Sequence, residues 1–146
     1  MLTKCGRRCG RSAMRIAIDT NVLVSAFILD SKYLMQMVEN ISQNHTIVLP
    51  TYVIDELKRV TENKFPNKIN HLESFFRVLP FELVYTPQGI DKTKYPHIRD
   101  EKDLPILVSA IIEDVDVLIS NDADFSVLDL ERPEILTPKG YVDKYC

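Results

Sequence analysis

The chain has 146 residues, of which 45% are hydrophobic and 27% charged, with a formal net charge of −3. That is the composition of an ordinary globular protein, and the length suits one domain with a sizeable core. No apolar run approaches the ~18 residues needed to cross a membrane, and the amino terminus lacks an apolar secretory segment, so the expected compartment is the cytoplasm.

The charge is unevenly spread. Lys4, Arg7, Arg8 and Arg11 give residues 1–13 a charge of +4 with no acid, leaving −7 for the remainder. Almost nothing in residues 1–13 can pack, so they read as a disordered basic leader ahead of one domain over 14–146. The competing reading is a nucleic-acid-binding arm. Cys5, Cys9 and Cys146 provide neither the paired ligands of a structural zinc site nor a disulfide framework.

Taken in order, Ile16-Ala17-Ile18 reads as a buried parallel strand running straight into Asp19-Thr20-Asn21. Val22 to Leu29 is an apolar stretch that turns directly into a short helix. Asp30 and Ser31 offer N-cap chemistry, and Leu34, Met37, Val38 and Ile41 follow at helical spacing. Thr46–Leu49 predicts a second strand. Val53, Ile54, Leu57 and Val60 mark one face of the next helix, with Glu56 near its boundary. Pro66 interrupts the pattern, and Ile69, Leu72, Phe76 and Leu79 resume it. Leu83–Tyr85 predicts a third strand, and residues 86–99 a long polar connection of the kind that often carries function. Leu104, Leu107, Val108, Ile111 and Ile112 predict the clearest helix, with Pro105 tolerated in its first turn. Val117–Ile119 and Glu134–Leu136 complete five strands, and Thr137-Pro138 opens a last helical turn. Alternating strands and helices predict a three-layer α/β/α fold around a mainly parallel sheet.

In a parallel sheet Asp19 and Asp122, each following a strand, project from the same carboxyl edge, where α/β folds bind ligands. Asp103 opens the helix before the fourth strand, so a right-handed crossover brings it to that edge as well. Taken singly, Asp103 reads as an N-cap, Asp122 and Asp124 as turn formers, and Glu56 as a solvated helix residue. Taken together, converging carboxylates repel unless a cation neutralises them. Oxygen-only ligands suit Mg²⁺ or Mn²⁺. Two such ions roughly 3.5–4 Å apart can activate water and stabilise a leaving oxygen in phosphodiester cleavage.

Four segments in order resemble the motifs of PIN-domain ribonucleases. They are Asp19-Thr20-Asn21-Val22-Leu23-Val24-Ser25-Ala26, Ile54-Asp55-Glu56-Leu57, Arg99 through Leu107 with Ala110, and Val117 through Phe125. Leu136-Thr137-Pro138 is similar to a common family ending. The resemblance covers Met14 to the carboxyl terminus. It implies Mg²⁺- or Mn²⁺-dependent endonucleolytic cleavage of single-stranded RNA, with one or two ions held by Asp19, Glu56, Asp103 and Asp122. Asn21, Ser120 and Asp124 would be supporting residues. The spacing is similar to that of toxins in toxin–antitoxin pairs, which implies an antitoxin partner and a homodimer. Ser120-Asn121 stands where the family usually has Thr-Gly or Thr-Arg. Asp55 beside Glu56, and Asp100 near Asp103, leave the register of the second and third motifs open.

Lys92, Lys94, His97 and Arg99 precede Asp103 and are candidates to hold RNA phosphates, with Tyr95 a candidate to stack on a base. A haloacid-dehalogenase-like phosphatase also sets an acid after a buried strand. It would want a second acid two positions on, where this chain has Asn21. His45, His71 and His97 form no nucleophile constellation, and four glycines make no phosphate loop. The remaining rival is a PIN-like fold that binds RNA or a partner without cutting.

Overall fold

In the computed structural model, which describes residues 13–146, Arg15–Ile18 forms the central strand β1. Its Ile16, Ala17 and Ile18 are fully buried, as a strand covered on both faces requires. β2 (Thr46–Pro50), β3 (Glu82–Val84), β4 (Val117–Ile119) and β5 (Glu134–Leu136) complete a five-stranded sheet in the order β3-β2-β1-β4-β5. Every neighbouring pair is parallel, so the expected mainly parallel sheet is wholly so. The basic leader and the Cys5/Cys9 reading lie outside the described residues.

Strand order decides where a site can form. From β1 the chain steps outward to β2 and β3, then crosses back to β4 on the other side of β1. Right-handed crossovers running in opposite directions put helices on opposite faces of the sheet. The carboxyl ends of β1 and β4 therefore flank the topological switch point. Ile18 pairs with Ile119, so Asp19 and Ser120 leave the sheet side by side.

The helices follow the apolar pattern with instructive departures. α1 (Thr20–Leu23) passes into a π-helical turn over Val24–Ile28 where one short helix was expected. Phe27 in that turn stacks on Phe75 with ring centroids 4.4 Å apart. α2 (Lys32–Asn44) starts at the expected cap, where the Ser31 hydroxyl accepts from Leu34 N at 3.3 Å. α3 (Thr51–Lys64) buries Val53, Leu57 and Thr61, whereas the apolar pattern put Val60 on that face. The Thr61 hydroxyl donates to Leu57 O at 2.7 Å, which satisfies it inside the core. α4 (Ile69–Val78) fully buries only Leu72. β3 begins one residue earlier than expected and, as an edge strand, leaves Leu83 exposed.

α5 (Leu104–Ile112) is buried nearly all round, from Leu104 and Ile106 through Ala110, with Ile112 exposed. α6 (Ala123–Ser126) follows β4 closely, and α7 (Pro138–Tyr145) extends well beyond the single expected turn. Thr137 caps α7 by accepting from Gly140 N at 2.9 Å. Among the described residues no helix is long and apolar enough to cross a membrane.

Candidate metal centre

Asp19 follows β1 directly and is only 6% exposed. Its Oδ1 accepts from Thr20 N and its Oδ2 from the Ser120 hydroxyl, both at 2.8 Å. The same hydroxyl accepts from Asp122 N at 3.0 Å. Ser120, the first residue after β4, thus ties the acids of two strands together. Burial pushes the Asp19 carboxyl above the usual carboxylate range. The Ser120 and Thr20 hydrogen bonds pull it back, and the charges of Glu56 and Asp122 push it up again.

Asp122 caps α6, its Oδ1 accepting from Asp124 N at 2.8 Å. That bond occupies one carboxylate oxygen and leaves the other for a ligand. The cap reading and the site reading are therefore compatible at this residue.

At Asp103 they are not. Asp103 stands at the N-cap position of α5, yet its side chain makes no capping bond. Asp100 caps only the preceding 3₁₀ turn over 101–103, accepting from Lys102 N at 3.0 Å, so α5 itself has no side-chain cap. Asp103 Oδ2 is sealed from water without a hydrogen-bond partner. An ionised carboxylate cannot be satisfied there by the Asp122 carboxylate opposite it; the two can only share a proton. Burial first, and then Asp122, push the Asp103 carboxyl up to about 7. One oxygen each from Asp103, Asp122 and Asp124 lies within 4.8 Å of the others.

Asp124 is 9% exposed, and its Oδ1 accepts from Arg99 Nε at 2.9 Å, the guanidinium itself lying mostly in solvent. Arg99 is therefore the one expected RNA-facing cation that reaches the acids. Lys92 pairs with Glu101 on the surface at 2.8 Å, and Lys94 is exposed. Glu56 is half-buried on α3 and acts on Asp19 through its charge, while Asp55 beside it is exposed. Asn21 is exposed in the first turn of α1.

The donor set is all carboxylate oxygen, which is what hard divalent cations of the Mg²⁺ and Mn²⁺ type take. The orphaned Asp103 oxygen gives that fit a specific reason, since a cation would satisfy it where no protein donor does. Two contacts had no signal in the sequence. One is the Arg99–Asp124 pair. The other is Tyr52, whose hydroxyl donates to Lys102 O at 2.9 Å and so ties α3 to the turn leading into Asp103. Both join residues far apart in sequence on side chains of ordinary surface type.

Ser120→Ala tests how much the bridging hydroxyl matters. It strips one acceptor from Asp122 N and leaves Asp19 Oδ2 buried without its donor. The expected cost is about 1–3 kcal/mol at neutral pH. Urea unfolding of the two proteins at pH 7.5 would read it, and an unchanged midpoint would show that water replaces the hydroxyl freely.

A profile of the PIN domain matches residues 15–124 of the chain. No curated protein sequence is significantly similar to it. Among solved structures it is similar to a chain in the crystal structure of VapBC2 from Rickettsia felis bound to a DNA fragment from their promoter. The two chains are 22% identical with a TM-score of 0.67, over 84% of this chain and 97% of that one. At that identity the likeness is one of fold. With three-quarters of its length inside the family profile, the chain belongs to the PIN-domain family.

Proposed function

We propose that this protein is a Mg²⁺- or Mn²⁺-dependent endoribonuclease that hydrolyses phosphodiester bonds of single-stranded RNA, working as one nuclease domain over residues 14–146. The observation that carries the reading is the convergence of Asp103, Asp122 and Asp124 beside buried Asp19, with an oxygen of Asp103 left unpartnered. A purely structural cluster has no use for so much desolvated negative charge.

Asp19 and Asp103 would hold the ion directly, and Asp122 and Glu56 would complete the site or orient water. Asp124, tied to Arg99, and Asn21 are supporting groups. When bound, one or two such ions supply Lewis-acid polarisation of the phosphate and lower the pKa of water at the site. The chain's own contribution is positional. Ser120 fixes the Asp19 carboxylate so that no side-chain rearrangement is needed as negative charge develops on the phosphate and leaving oxygens. Arg99, anchored at Asp124 and facing solvent, is placed to meet a phosphate, and Lys92 and Lys94 add positive charge along the approach.

The proposal extends to a toxin role in the cytoplasm, with an antitoxin that covers the acidic edge and a homodimer, as the motif resemblance implies; the chain of similar fold comes from a VapBC2 structure. The reading in which the fold binds RNA or a partner without cutting keeps the same surface. The acid convergence argues against it, because binding RNA phosphates is better served by a neutral or basic edge. A phosphatase of the haloacid-dehalogenase type would need an acid where Asn21 stands.

The test is cleavage of a panel of single-stranded RNAs with Mn²⁺ by wild type and by Asp103→Asn. Cleavage by the wild type alone, abolished by a chelator, is expected. Equal cleavage by both proteins would sink the mechanism, and no cleavage by either would turn the reading to the binding-only alternative.

A further inference from the structure

Beside the acidic edge, and separate from it, lies an open cavity of about 300 Å³ between the start of α3, the residues after β3 and the first turn of α5. Its walls include Tyr52, Pro87, Gly89 and Pro105, with Asp55 and Gln88 supplying polar groups. The volume is at the lower end for small-molecule sites and accommodates one planar heterocycle.

Three features suit it to a nucleobase. First, Tyr52 is held in place. Its hydroxyl is committed to Lys102 O at 2.9 Å, and its backbone N–H donates to Thr86 Oγ1 at 3.0 Å. An anchored aromatic flanked by prolines is the kind of rigid, flat wall on which a base stacks at low entropic cost. Second, Gly89 has φ +60, and a Cβ built there would meet nothing within 4 Å, so the loop keeps that side of the cavity open. Third, Asp55 and Gln88 make no hydrogen bond or ion pair among the described residues, although Asp55 stands on a helix and both sit at the cavity. The Tyr52–Lys102 bond also sets the distance scale, because Lys102 directly precedes Asp103. A base in the cavity would sit a short step from a phosphate at the acids.

We propose that this cavity is a base-binding subsite for the RNA strand and that it takes guanine. The choice of base comes from donor and acceptor matching. Asp55 is an acceptor-only group with two oxygens. Guanine is the base whose Watson–Crick edge presents two adjacent donors, N1–H and the N2 amino group. Adenine, cytosine and uracil each offer one donor beside acceptors that a carboxylate repels. Gln88 carries both a donor and an acceptor and serves the remaining O6 edge. The proposal deepens the RNA-cleavage reading and rests on it for the identity of the ligand, though its test does not need cleavage.

The experiment is amide NMR of the full chain titrated with GMP, IMP, AMP and UMP in the presence of a chelator. All four carry the same phosphate, so differences report the base, and IMP lacks only the N2 amino group of GMP. Shifts at Thr51, Gln88 and Gly89 are expected with GMP, at roughly tenfold tighter affinity than with AMP or UMP, and with IMP between. Asp55→Asn should erase that preference while leaving the fold intact, because Asp55 is exposed and unpaired. Absence of shifts at the cavity, equal affinity for GMP and AMP, or a preference untouched by Asp55→Asn would each overturn the proposal. RNA cleavage without GMP binding would remove the subsite and leave the nuclease reading standing. GMP binding without cleavage would do the reverse.

Discussion

Asp19→Asn is expected to lower RNA cleavage by about 100-fold or more while raising the melting temperature of the metal-free protein at pH 7.5. The two effects share one cause. Asp19 is 6% exposed, and its carboxyl is pushed up by burial, then drawn back by the bonds from Ser120 and Thr20. Holding it ionised therefore opposes folding in the absence of a cation. Asn keeps an oxygen for Thr20 N and offers an amide to the Ser120 hydroxyl, so the local geometry survives. Removing the buried charge should add about 1 kcal/mol, or roughly 2–4 °C for a chain of this size. The same substitution removes a proposed ligand, and cleavage should be lost with it. Mn²⁺ should raise the melting temperature of wild type and do much less for the variant, because only the intact set gains from binding. A variant that cleaves like wild type, or that melts lower without metal, would contradict the placement of Asp19.

The pH dependence follows with a definite sign. Asp103 is pushed up to about 7 in the fold, mainly by burial and then by Asp122, against an ordinary value near 3.8. Asp19 is shifted in the same direction. A carboxyl with a raised folded-state pKa makes the native state bind the extra proton. Its contribution is complete below the unfolded value and is lost as pH rises through the folded one. Metal-free wild type should therefore lose stability between about pH 4 and pH 7 relative to Asp103→Asn, and the difference should level off above pH 7. Thermal melts of the pair across that range, with chelator present, read it directly. A difference that is flat with pH would remove the raised Asp103 value.

Phe125→Ala is expected to cost about 3–5 kcal/mol, the range for deleting a buried ring. Phe125 is fully buried, and α6, which carries it, has only four residues. A single turn is not stable alone, so the ring is what seats it. Asp122 caps this turn and Asp124 lies within it, so the ring also holds two of the three converging acids in place. Weaker Mn²⁺ stabilisation should accompany the loss, more than in a core variant of equal cost on the far side of the sheet, such as Met37→Ala on α2. Urea unfolding with and without Mn²⁺ separates the two consequences. A cost under 1 kcal/mol would mean that the turn is seated by something other than Phe125.

Much of the scaffold is local information. Branched apolar runs such as Ile16–Ile18 and Val117–Ile119 encode strands covered on both faces, and helical spacing from Leu104 onward encodes α5. Acids following the strands are therefore assigned to one edge by the sequence, because parallel strands share a direction. Choosing between neighbouring acids needed the packing. Successive helical residues differ by about 100° around the axis, so fixing Val53 and Leu57 against the core turns Asp55 about 200° away from both and leaves Glu56 at the boundary. The apolar pattern alone, which favoured Val60 over Thr61, could not set that rotation to within one residue. Asp103 illustrates the same limit, since a cap and a ligand look alike in a string of letters. What separates them is the donors within reach, and no backbone N–H of α5 bonds to the Asp103 side chain. The Arg99–Asp124 pair and the Tyr52 anchor belong wholly to the tertiary structure, because they join segments whose proximity only the crossover from β3 to β4 creates. The sequence by itself determined which residue types reach the carboxyl edge of the sheet. The folded chain decided which of them lose their water there, and that desolvation gives a carboxylate its reason to hold a cation.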